Sequence, residues 1–211
     1  FSYLTNKACP VELAELIVAS ADACKIIAKE LSTNVKKKAG TVTQFGEEQI
    51  AMDVFADKVF GEHMRACPYV AALGGEEMDE MEIVNPTGKY SVFCDPLDGS
   101  SLADVNFSVG TIVGVYEGDS VIGRTGREQV AAMYAIYGPK TIIVLTINSG
   151  IQKSGVCSFI LLNHEWHLLE ENLQVSEAKY FSAGNLRAAS ERQDYLELVN
   201  SYIKDRYTLR Y

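Results

Sequence analysis

The sequence lacks an excess of positive charge and lacks long apolar runs. Its 211 residues carry a formal net charge of −9 at pH 7. We therefore expect no nucleic acid as a partner, because binding it requires a basic surface that neutralises backbone phosphates. We also expect no membrane association, since no apolar stretch approaches the roughly 18 residues that crossing a bilayer requires. An acidic chain that handles phosphate needs bound cations or a few local basic residues to meet it.

Cysteine occurs five times, an odd number, and no two cysteines form a C-x-x-C pair. Neither a zinc site nor a disulfide framework is therefore indicated. Scattered free thiols favour a reducing compartment. Residues 1–10 do not resemble a signal or transit peptide, so we expect a cytoplasmic protein, with a plastid as the alternative.

Hydrophobic periodicity predicts an α/β protein in which helices and strands follow one another along the chain. The predicted helices span residues 10–32, 46–63 and 191–204, and the predicted strands span residues 69–73, 90–94, 109–116, 129–137, 141–147 and 156–162. Segments 34–43 and 78–88 are predicted to be polar loops. The dense succession of the later strands predicts a second, mostly antiparallel sheet region.

The most informative stretch is the run Asp-Pro-Leu-Asp-Gly-Ser-Ser at positions 95–101, which follows the predicted strand 90–94. Pro96 lacks a backbone N–H, so we expect the strand to end there. Asp95 and Asp98 then lie on the resulting turn. The Gly-Ser-Ser segment behind them offers free backbone N–H groups, which bind anions either at a helix start or in a nest.

A second acidic cluster follows the predicted strand 69–73, in the run Gly-Gly-Glu-Glu at positions 74–77. Open α/β sheets place ligand sites at the ends of their strands, so folding is expected to gather the two clusters. Carboxylates that hold hard cations beside a cradle for an oxyanion are what a metal-dependent phosphatase requires. The alternative for either motif by itself is a polar turn, because Asp, Pro and Gly are common turn residues.

The runs D-P-L-D-G-S-S and G-E-E resemble the fructose-1,6-bisphosphatase family of Mg²⁺-dependent sugar phosphatases. Segments 126–132, 136–141, 184–188 and 207–211 favour the branch of that family that acts on sedoheptulose bisphosphate. The resemblance implies a layered α-β-α-β-α sugar-phosphatase fold. Residues 1–211 would form its N-terminal domain and the start of a second sheet region, with the C-terminal part of the fold missing from the chain.

The reaction that the resemblance implies is hydrolysis of the 1-phosphate of sedoheptulose 1,7-bisphosphate by in-line attack of a metal-activated water. Fructose 1,6-bisphosphate is an additional candidate substrate. One alternative is a fructose-1,6-bisphosphatase of gluconeogenesis, and another is a catalytically incomplete fragment that binds metal or phosphate. The resemblance also implies two or three Mg²⁺ ions, for which Mn²⁺ can substitute, and a homo-oligomer, either a dimer or a tetramer.

Carried over residue by residue, the resemblance assigns three groups of site residues. The implied metal ligands are Glu47, Glu76, Glu77, Asp95, Asp98 and the carbonyl oxygen of Leu97. The implied catalytic residues are Asp53 and Glu77, which position and deprotonate the attacking water, together with Asp98. The implied substrate-binding residues are Asp98, Gly99, Ser100 and Ser101 at the scissile phosphate, and Asn185, Arg187, Arg210 and Tyr211 at the sugar and distal phosphate.

Overall fold

The computed structural model describes residues 2–33, 38–42, 48–76, 78–103, 105–148, 155–182 and 184–210. The chain divides into two compact units, Phe1–Leu173 and Gln174–Tyr211. The helices of the first unit are α1 (Ser2–Asn6), α2 (Val11–Thr33), α3 (Ala51–Ala66) and α4 (Ser100–Ala103). Its strands are β1 (Lys38–Val42), β2 (Glu48–Ile50), β3 (Val70–Gly75), β4 (Glu82–Ile83), β5 (Tyr90–Asp98), β6 (Val109–Glu117), β7 (Ala131–Tyr137), β8 (Thr141–Ile147), β9 (Val156–Leu162) and β10 (Glu165–Leu173).

Helices α2 and α3 form because apolar residues recur along each of them at helical spacing. Leu13 and Leu16 in α2 and Phe60 and Met64 in α3 are completely buried. The predicted helix 10–32 is confirmed within one residue at each end. The predicted helix 46–63 begins later than expected, because residues 48–50 form strand β2. None of the described helices combines the length and hydropathy that a bilayer-spanning segment needs.

Strands β3 to β10 form one sheet in the order β10-β9-β8-β7-β6-β5-β3-β4. Strands β3 and β5 are parallel, and the other neighbouring pairs are antiparallel. The predicted α/β class is confirmed, but the strands from β6 onward extend the first sheet instead of opening a second one. The physical reason is that strands that are consecutive in the sequence tend to pair with each other in space.

Two segments predicted as loops contain short strands. Residues 38–42 form β1, which pairs antiparallel with β2. Within segment 78–88, the two-residue strand β4 pairs antiparallel with β3. Strand β1 has the mixed sequence Lys-Ala-Gly-Thr-Val and β4 has only two residues, so neither carries a hydrophobic strand pattern that the sequence could reveal.

The core lies between one face of the eight-stranded sheet and helices α2 and α3. Alternate residues of neighbouring strands project to that face; Val113, for example, lies opposite Met133, and both are buried. The opposite face carries Phe93, Ile112 and Tyr134, which are 44%, 50% and 44% exposed. Side chains alternate between the two faces along each pleated strand, which is why buried residues lie on one face and partly exposed residues on the other.

The second unit contains β11 (Tyr180–Phe181), a 3₁₀ helix (Leu186–Ser190), α5 (Gln193–Lys204) and β12 (Thr208–Leu209). Strands β11 and β12 pair in parallel. The ring of Tyr202 in α5 packs between those of Phe181 and Tyr207, with centroids 5.2 Å and 5.1 Å away. These aromatic contacts join the helix to β11 and to the residue that precedes β12.

All five cysteines are free and buried, in agreement with the prediction that they form no disulfide framework. Burial raises the pKa of the Cys9 and Cys24 thiols to about 11 and the pKa of the Cys94 thiol to about 12. Burial likewise raises the pKa of Cys67 and Cys157. A shielded thiol that stays protonated is a poor nucleophile.

We expect the five thiols of the native protein to react with an aromatic disulfide reagent on the order of 100-fold more slowly than free cysteine at about pH 8, because few of them are ionised. Unfolding in guanidinium should expose all five to rapid reaction. Glu177→Cys, at an exposed position, serves as the control that reacts at the ordinary rate. Rapid reaction of any thiol of the native, unsubstituted chain would contradict the burial.

Candidate metal centre

The candidate site lies where two parallel strands end side by side. Strands β3 and β5 pair so that Gly75 lies opposite Cys94. The backbone N–H of Glu76 donates to the carbonyl oxygen of Cys94 at 3.2 Å. The residue that follows each of these positions is acidic, Glu76 on one side and Asp95 on the other. Parallel pairing thus brings carboxylates from two separate sequence motifs to one end of the sheet.

Gly75 permits the close approach of the two strands at this point. A Cβ atom built on Gly75 would lie 3.0 Å from the carbonyl oxygen of Cys94, a contact that is tighter than most Cβ atoms make. Any side chain here would push the end of β3 away from β5. The glycines of the run at positions 74–77 therefore have a structural reason to precede the acids.

Strand β5 continues through Pro96 to Asp98, so the prediction that Pro96 ends the strand is wrong. The pairing with β6 shifts register instead: Asp95 lies opposite Ile112, and Asp98 lies opposite Gly110. Three steps along β5 match two steps along β6, which is a β-bulge. A bulge leaves one residue outside the ladder, and proline is tolerated there because it has no N–H to donate.

Gly99 turns the chain out of the bulge and into helix α4. Its φ of 75° lies in the left-handed region, which glycine adopts without a steric penalty. The N–H of Leu102 donates to the carbonyl oxygen of Gly99 at 2.8 Å, and Ser100 is the first residue of α4. Of the two expected forms of the Gly-Ser-Ser segment, a helix start or a nest, the structure has the helix start.

The carboxyl group of Asp95 interacts with those of Glu76 and Asp98. Partial burial, the interaction with the Glu76 carboxyl group and the charge of Asp98 raise the pKa of Asp95 to about 7. The N–H of Leu97, which donates to Oδ1 of Asp95 at 3.0 Å, opposes this increase. Carboxylates that repel each other in this way are stabilised by a shared proton or by a bound cation.

A divalent cation fits the chemistry of these donors, since Mg²⁺ prefers oxygen ligands and its charge relieves the repulsion between carboxylates. Within the described ranges, no three acidic, histidine or cysteine side chains lie close enough together to surround one ion. The described residues thus form only part of a metal site: Glu76 and Asp95 lie side by side, the charge of Asp98 is nearby, and they do not surround an ion.

Two open depressions flank the end of β5. The first has a volume of about 300 Å³ and includes Glu76, Asp95 and Ile112 in its lining. The second has a volume of about 350 Å³ and includes Asp98, Gly99 and Ile112. Both volumes lie at the lower end of the range typical of small-molecule sites. The acidic strand end is therefore accessible to a ligand from two sides of Ile112.

Comparison with known proteins assigns the chain to a family. Residues 4–169 match the fructose-1-6-bisphosphatase N-terminal domain. The chain belongs to the fructose-1,6-bisphosphatase family. The match covers both strand ends that carry the acidic motifs, so the resemblance drawn from those motifs is confirmed at the level of the family.

Relatives of both branches of the family are similar to the chain. It is 41% identical to the chloroplastic sedoheptulose-1,7-bisphosphatase of Spinacia oleracea, over 94% of this chain and 51% of the relative. It is 38% identical to the class 1 fructose-1,6-bisphosphatase of Syntrophotalea carbinolica, over 83% of this chain and 54% of the relative. The chain spans about half the length of the curated relatives it matches.

Solved structures of the family share the fold. A crystal structure from Toxoplasma gondii, of a protein identified provisionally as a sedoheptulose-1,7 bisphosphatase, superimposes with a TM-score of 0.88 at 32% identity. That superposition covers 99% of this chain and 69% of the other. The chain therefore shares its large mixed sheet with this solved structure.

The structure places Glu76 and Asp95 side by side at the strand end, and Asp98 lies three residues further along β5. Leu97 is buried between the two aspartates of the bulge. Asp53 lies in the first turn of α3 and is half-buried. Glu47, Glu77 and Tyr211, which the sequence also assigned to the site, lie outside the described residues. The roles that the resemblance gives to these residues stay predictions.

Of the predicted substrate residues in the second unit, the structure describes three, and all three are exposed. Asn185 immediately precedes the 3₁₀ helix Leu186–Ser190, which contains Arg187. The guanidinium group of Arg210 lies over the ring of Tyr180, 4.9 Å from its centroid. Their assignment to the sugar and the distal phosphate stays a prediction.

Sequence reasoning missed two residues that contact the bulge directly or through a neighbour. Thr111 donates a hydrogen bond to the carbonyl oxygen of Pro96, and Tyr137 lies behind Thr111. Both residue types are common in β-strands for reasons of packing alone, so neither produced a functional signal. Only the three-dimensional pairing of β5, β6 and β7 reveals them.

We expect Asp95→Asn to stabilise the metal-free protein at about pH 8 and to leave its stability nearly unchanged at about pH 4. The pKa of Asp95 is raised in the folded state, so folding becomes less favourable as pH rises from its unfolded value of about 4 towards 7. Asparagine avoids that cost and can donate to Glu76, which should gain on the order of 1–2 kcal/mol. Urea unfolding in the presence of a chelator measures the difference.

The matched control for this prediction is Asp119→Asn, which removes a carboxylate from an exposed position in the loop between β6 and β7. Its stability relative to the unsubstituted protein should be nearly the same at both pH values. If Asp95→Asn changes the free energy of unfolding equally at the two pH values, the Asp95 carboxylate does not destabilise the folded protein electrostatically.

Proposed function

We propose that this protein is a divalent-metal-dependent sugar bisphosphatase that removes the 1-phosphate of sedoheptulose 1,7-bisphosphate. The observation that carries the proposal is the parallel pairing of β3 with β5, which places Glu76 and Asp95 at adjacent strand ends, where the two carboxyl groups interact. The 41% identity with the Spinacia oleracea sedoheptulose-1,7-bisphosphatase supports the choice of substrate. Phosphate esters hydrolyse very slowly without a catalyst, and their catalysis depends mainly on positioning and charge neutralisation.

The proposed cofactor is Mg²⁺, as two or three ions, with Mn²⁺ as a substitute. The proposed ligands are Glu47, Glu76, Glu77, Asp95, Asp98 and the carbonyl oxygen of Leu97. When bound, Mg²⁺ supplies positive charge that offsets the charge on the phosphate oxygens. The repulsion between Glu76 and Asp95 supports this assignment, because a cation relieves it.

The chain's own residues orient the reactants. Asp53 and Glu77 are proposed to position the attacking water and to accept its proton, and Asp98 lies beside the reacting phosphate. The segment Gly99, Ser100 and Ser101 is proposed to hold the scissile phosphate, which is supported by its place at the start of α4. For the sugar and the distal phosphate we propose Asn185, Arg187, Arg210 and Tyr211, whose amide, cationic and hydroxyl groups suit an anionic sugar.

Fructose 1,6-bisphosphate is the alternative substrate, since class 1 fructose-1,6-bisphosphatases such as that of Syntrophotalea carbinolica are nearly as similar to this chain. A catalytically incomplete fragment that binds metal or phosphate is the remaining alternative.

We further propose that the protein forms a homo-oligomer, either a dimer or a tetramer, in which Arg210 reaches a neighbouring subunit. Sedimentation equilibrium measures the size of the oligomer. The proposed compartment is the cytoplasm, with a plastid as the alternative, and fluorescent tagging of the whole protein distinguishes them.

We expect the full chain with Mg²⁺ to release phosphate from sedoheptulose 1,7-bisphosphate with a kcat/KM about 10-fold above that for fructose 1,6-bisphosphate. Asp98→Asn should lower kcat by about 100-fold or more, because it removes a charge beside the reacting group. Phosphate release on the two sugars, measured side by side, is the test.

Asp119→Asn again provides the matched control, since it removes an exposed carboxylate away from the strand end. A preference for fructose 1,6-bisphosphate would favour the alternative substrate. If the chain binds Mg²⁺ but releases no phosphate, and Asp98→Asn leaves that binding unchanged, only the alternative of a catalytically incomplete fragment remains.

We also expect Mg²⁺ to bind weakly until phosphate is present. A cluster of carboxylates attracts the cations, and the phosphate oxygens complete their coordination, so each ligand should raise the affinity for the other by about 10-fold. Calorimetric titration of Mg²⁺ with and without inorganic phosphate measures this coupling. Equal affinities in the two titrations would contradict it.

A further inference from the structure

A single peptide unit in the bulge is held at both of its polar atoms. The hydroxyl of Thr111, on the neighbouring strand β6, donates to the carbonyl oxygen of Pro96 at 2.8 Å. On the other side of the same peptide bond, the N–H of Leu97 donates to Oδ1 of Asp95 at 3.0 Å. The peptide bond is planar, so fixing its oxygen and its N–H fixes the orientation of the whole unit.

The location of this unit explains why side chains hold it. It lies between Asp95 and Asp98, in the interval where the pairing of β5 with β6 shifts register. Backbone groups in such an interval lose their regular ladder partners and need others when they are buried. Pro96 and Leu97 are both buried, and the Thr111 hydroxyl and the Asp95 carboxylate serve as those partners.

A second layer holds the hydroxyl of Thr111 in turn. The hydroxyl oxygens of Thr111 and Tyr137 are 2.6 Å apart. Since Thr111 donates its proton to Pro96, the Tyr137 hydroxyl is the donor in this contact. The thiol of Cys24, on helix α2, lies near both hydroxyls. All three side chains are buried, so the chain of polar groups crosses an otherwise apolar core.

We propose that Thr111, supported by Tyr137, is a positioning residue for the candidate metal centre: its hydroxyl orients the Pro96–Leu97 peptide and thereby the Asp95 carboxylate, which accepts a hydrogen bond from the N–H of that peptide. The inference rests on the proposed function, in which Asp95 is a ligand. Valine has nearly the same shape as threonine and would fill the core equally well, so packing alone does not require a hydroxyl here. Outer residues that orient ligands in this way are known to affect metal affinity strongly.

The test uses the full chain and measures two properties besides activity. The first is the hydrogen-exchange rate of the Leu97 amide in the metal-free protein, and the second is the affinity for Mg²⁺ alone, by calorimetry. Thr111→Val should accelerate the exchange of Leu97 and lower the Mg²⁺ affinity, each by about 10-fold. Thr111→Ser, which keeps the hydroxyl, should restore both values to near those of the unsubstituted protein.

Activity provides a third measurement that separates positioning from general damage. Thr111→Val should raise the Mg²⁺ concentration for half-maximal phosphate release about 10-fold, while kcat at saturating Mg²⁺ changes by less than about 2-fold. Ser20→Ala is the matched control, because it removes another buried hydroxyl, whose partners are the Leu16 carbonyl oxygen and the Met64 sulfur. It should leave the Leu97 exchange rate and the Mg²⁺ affinity unchanged.

The outcomes separate this inference from the proposed function. If the unsubstituted chain binds Mg²⁺ and Asp98→Asn weakens that binding, but Thr111→Val leaves binding and Leu97 exchange unchanged, the positioning role is overturned and the proposed function stands. If the unsubstituted chain does not bind Mg²⁺, the proposed function fails, and the metal-directed role of Thr111 fails with it. If Thr111→Val does not fold, Tyr137→Phe is the variant that tests the inference. It should weaken Mg²⁺ binding by about 3-fold. Unchanged Mg²⁺ binding in Tyr137→Phe would overturn the positioning role.

Discussion

The parallel pairing of β3 with β5 is the constraint on which the candidate site depends. It places Gly75 opposite Cys94, and the acids that follow these positions then lie side by side. Neither acidic motif contains more than part of a cation site, and more than a dozen residues separate them in the sequence. The sheet therefore acts as the scaffold that converts two local turn-like motifs into one electrostatic feature.

This feature is unfavourable for the folded chain by itself. Asp95 is partly buried and faces Glu76 and Asp98, so the fold holds like charges near one another. Structures usually avoid such an arrangement, because each buried charge loses hydration and gains repulsion. Its presence at the open end of a sheet, beside two depressions, is the pattern expected of a site that is completed by a positively charged ligand. The bulge around Pro96 contributes to this arrangement, because it keeps both Asp95 and Asp98 at the end of β5.

Much of the fold was predictable because its elements are long and regular. The helix predicted over 10–32 and the strands predicted over 141–147 and 156–162 agree closely with α2, β8 and β9. The errors share a cause, which is that local pattern does not specify partners. Pro96 normally stops a strand, but a partner strand with a shifted register accommodates it. The sequence predicted a separate sheet for the later strands, but each of them pairs with the strand before it and extends the first sheet.

The sequence by itself determined the family, the acidic motifs and most of the helices and strands, because each of these depends on residues that are close together along the chain. The tertiary structure alone decided that Glu76 faces Asp95 and that the hydroxyls of Thr111 and Tyr137 lie behind the bulge. Those contacts depend on strand register and on the direction of side chains across the sheet. A threonine in a strand looks the same in the sequence whether its hydroxyl meets a carbonyl oxygen or only apolar neighbours.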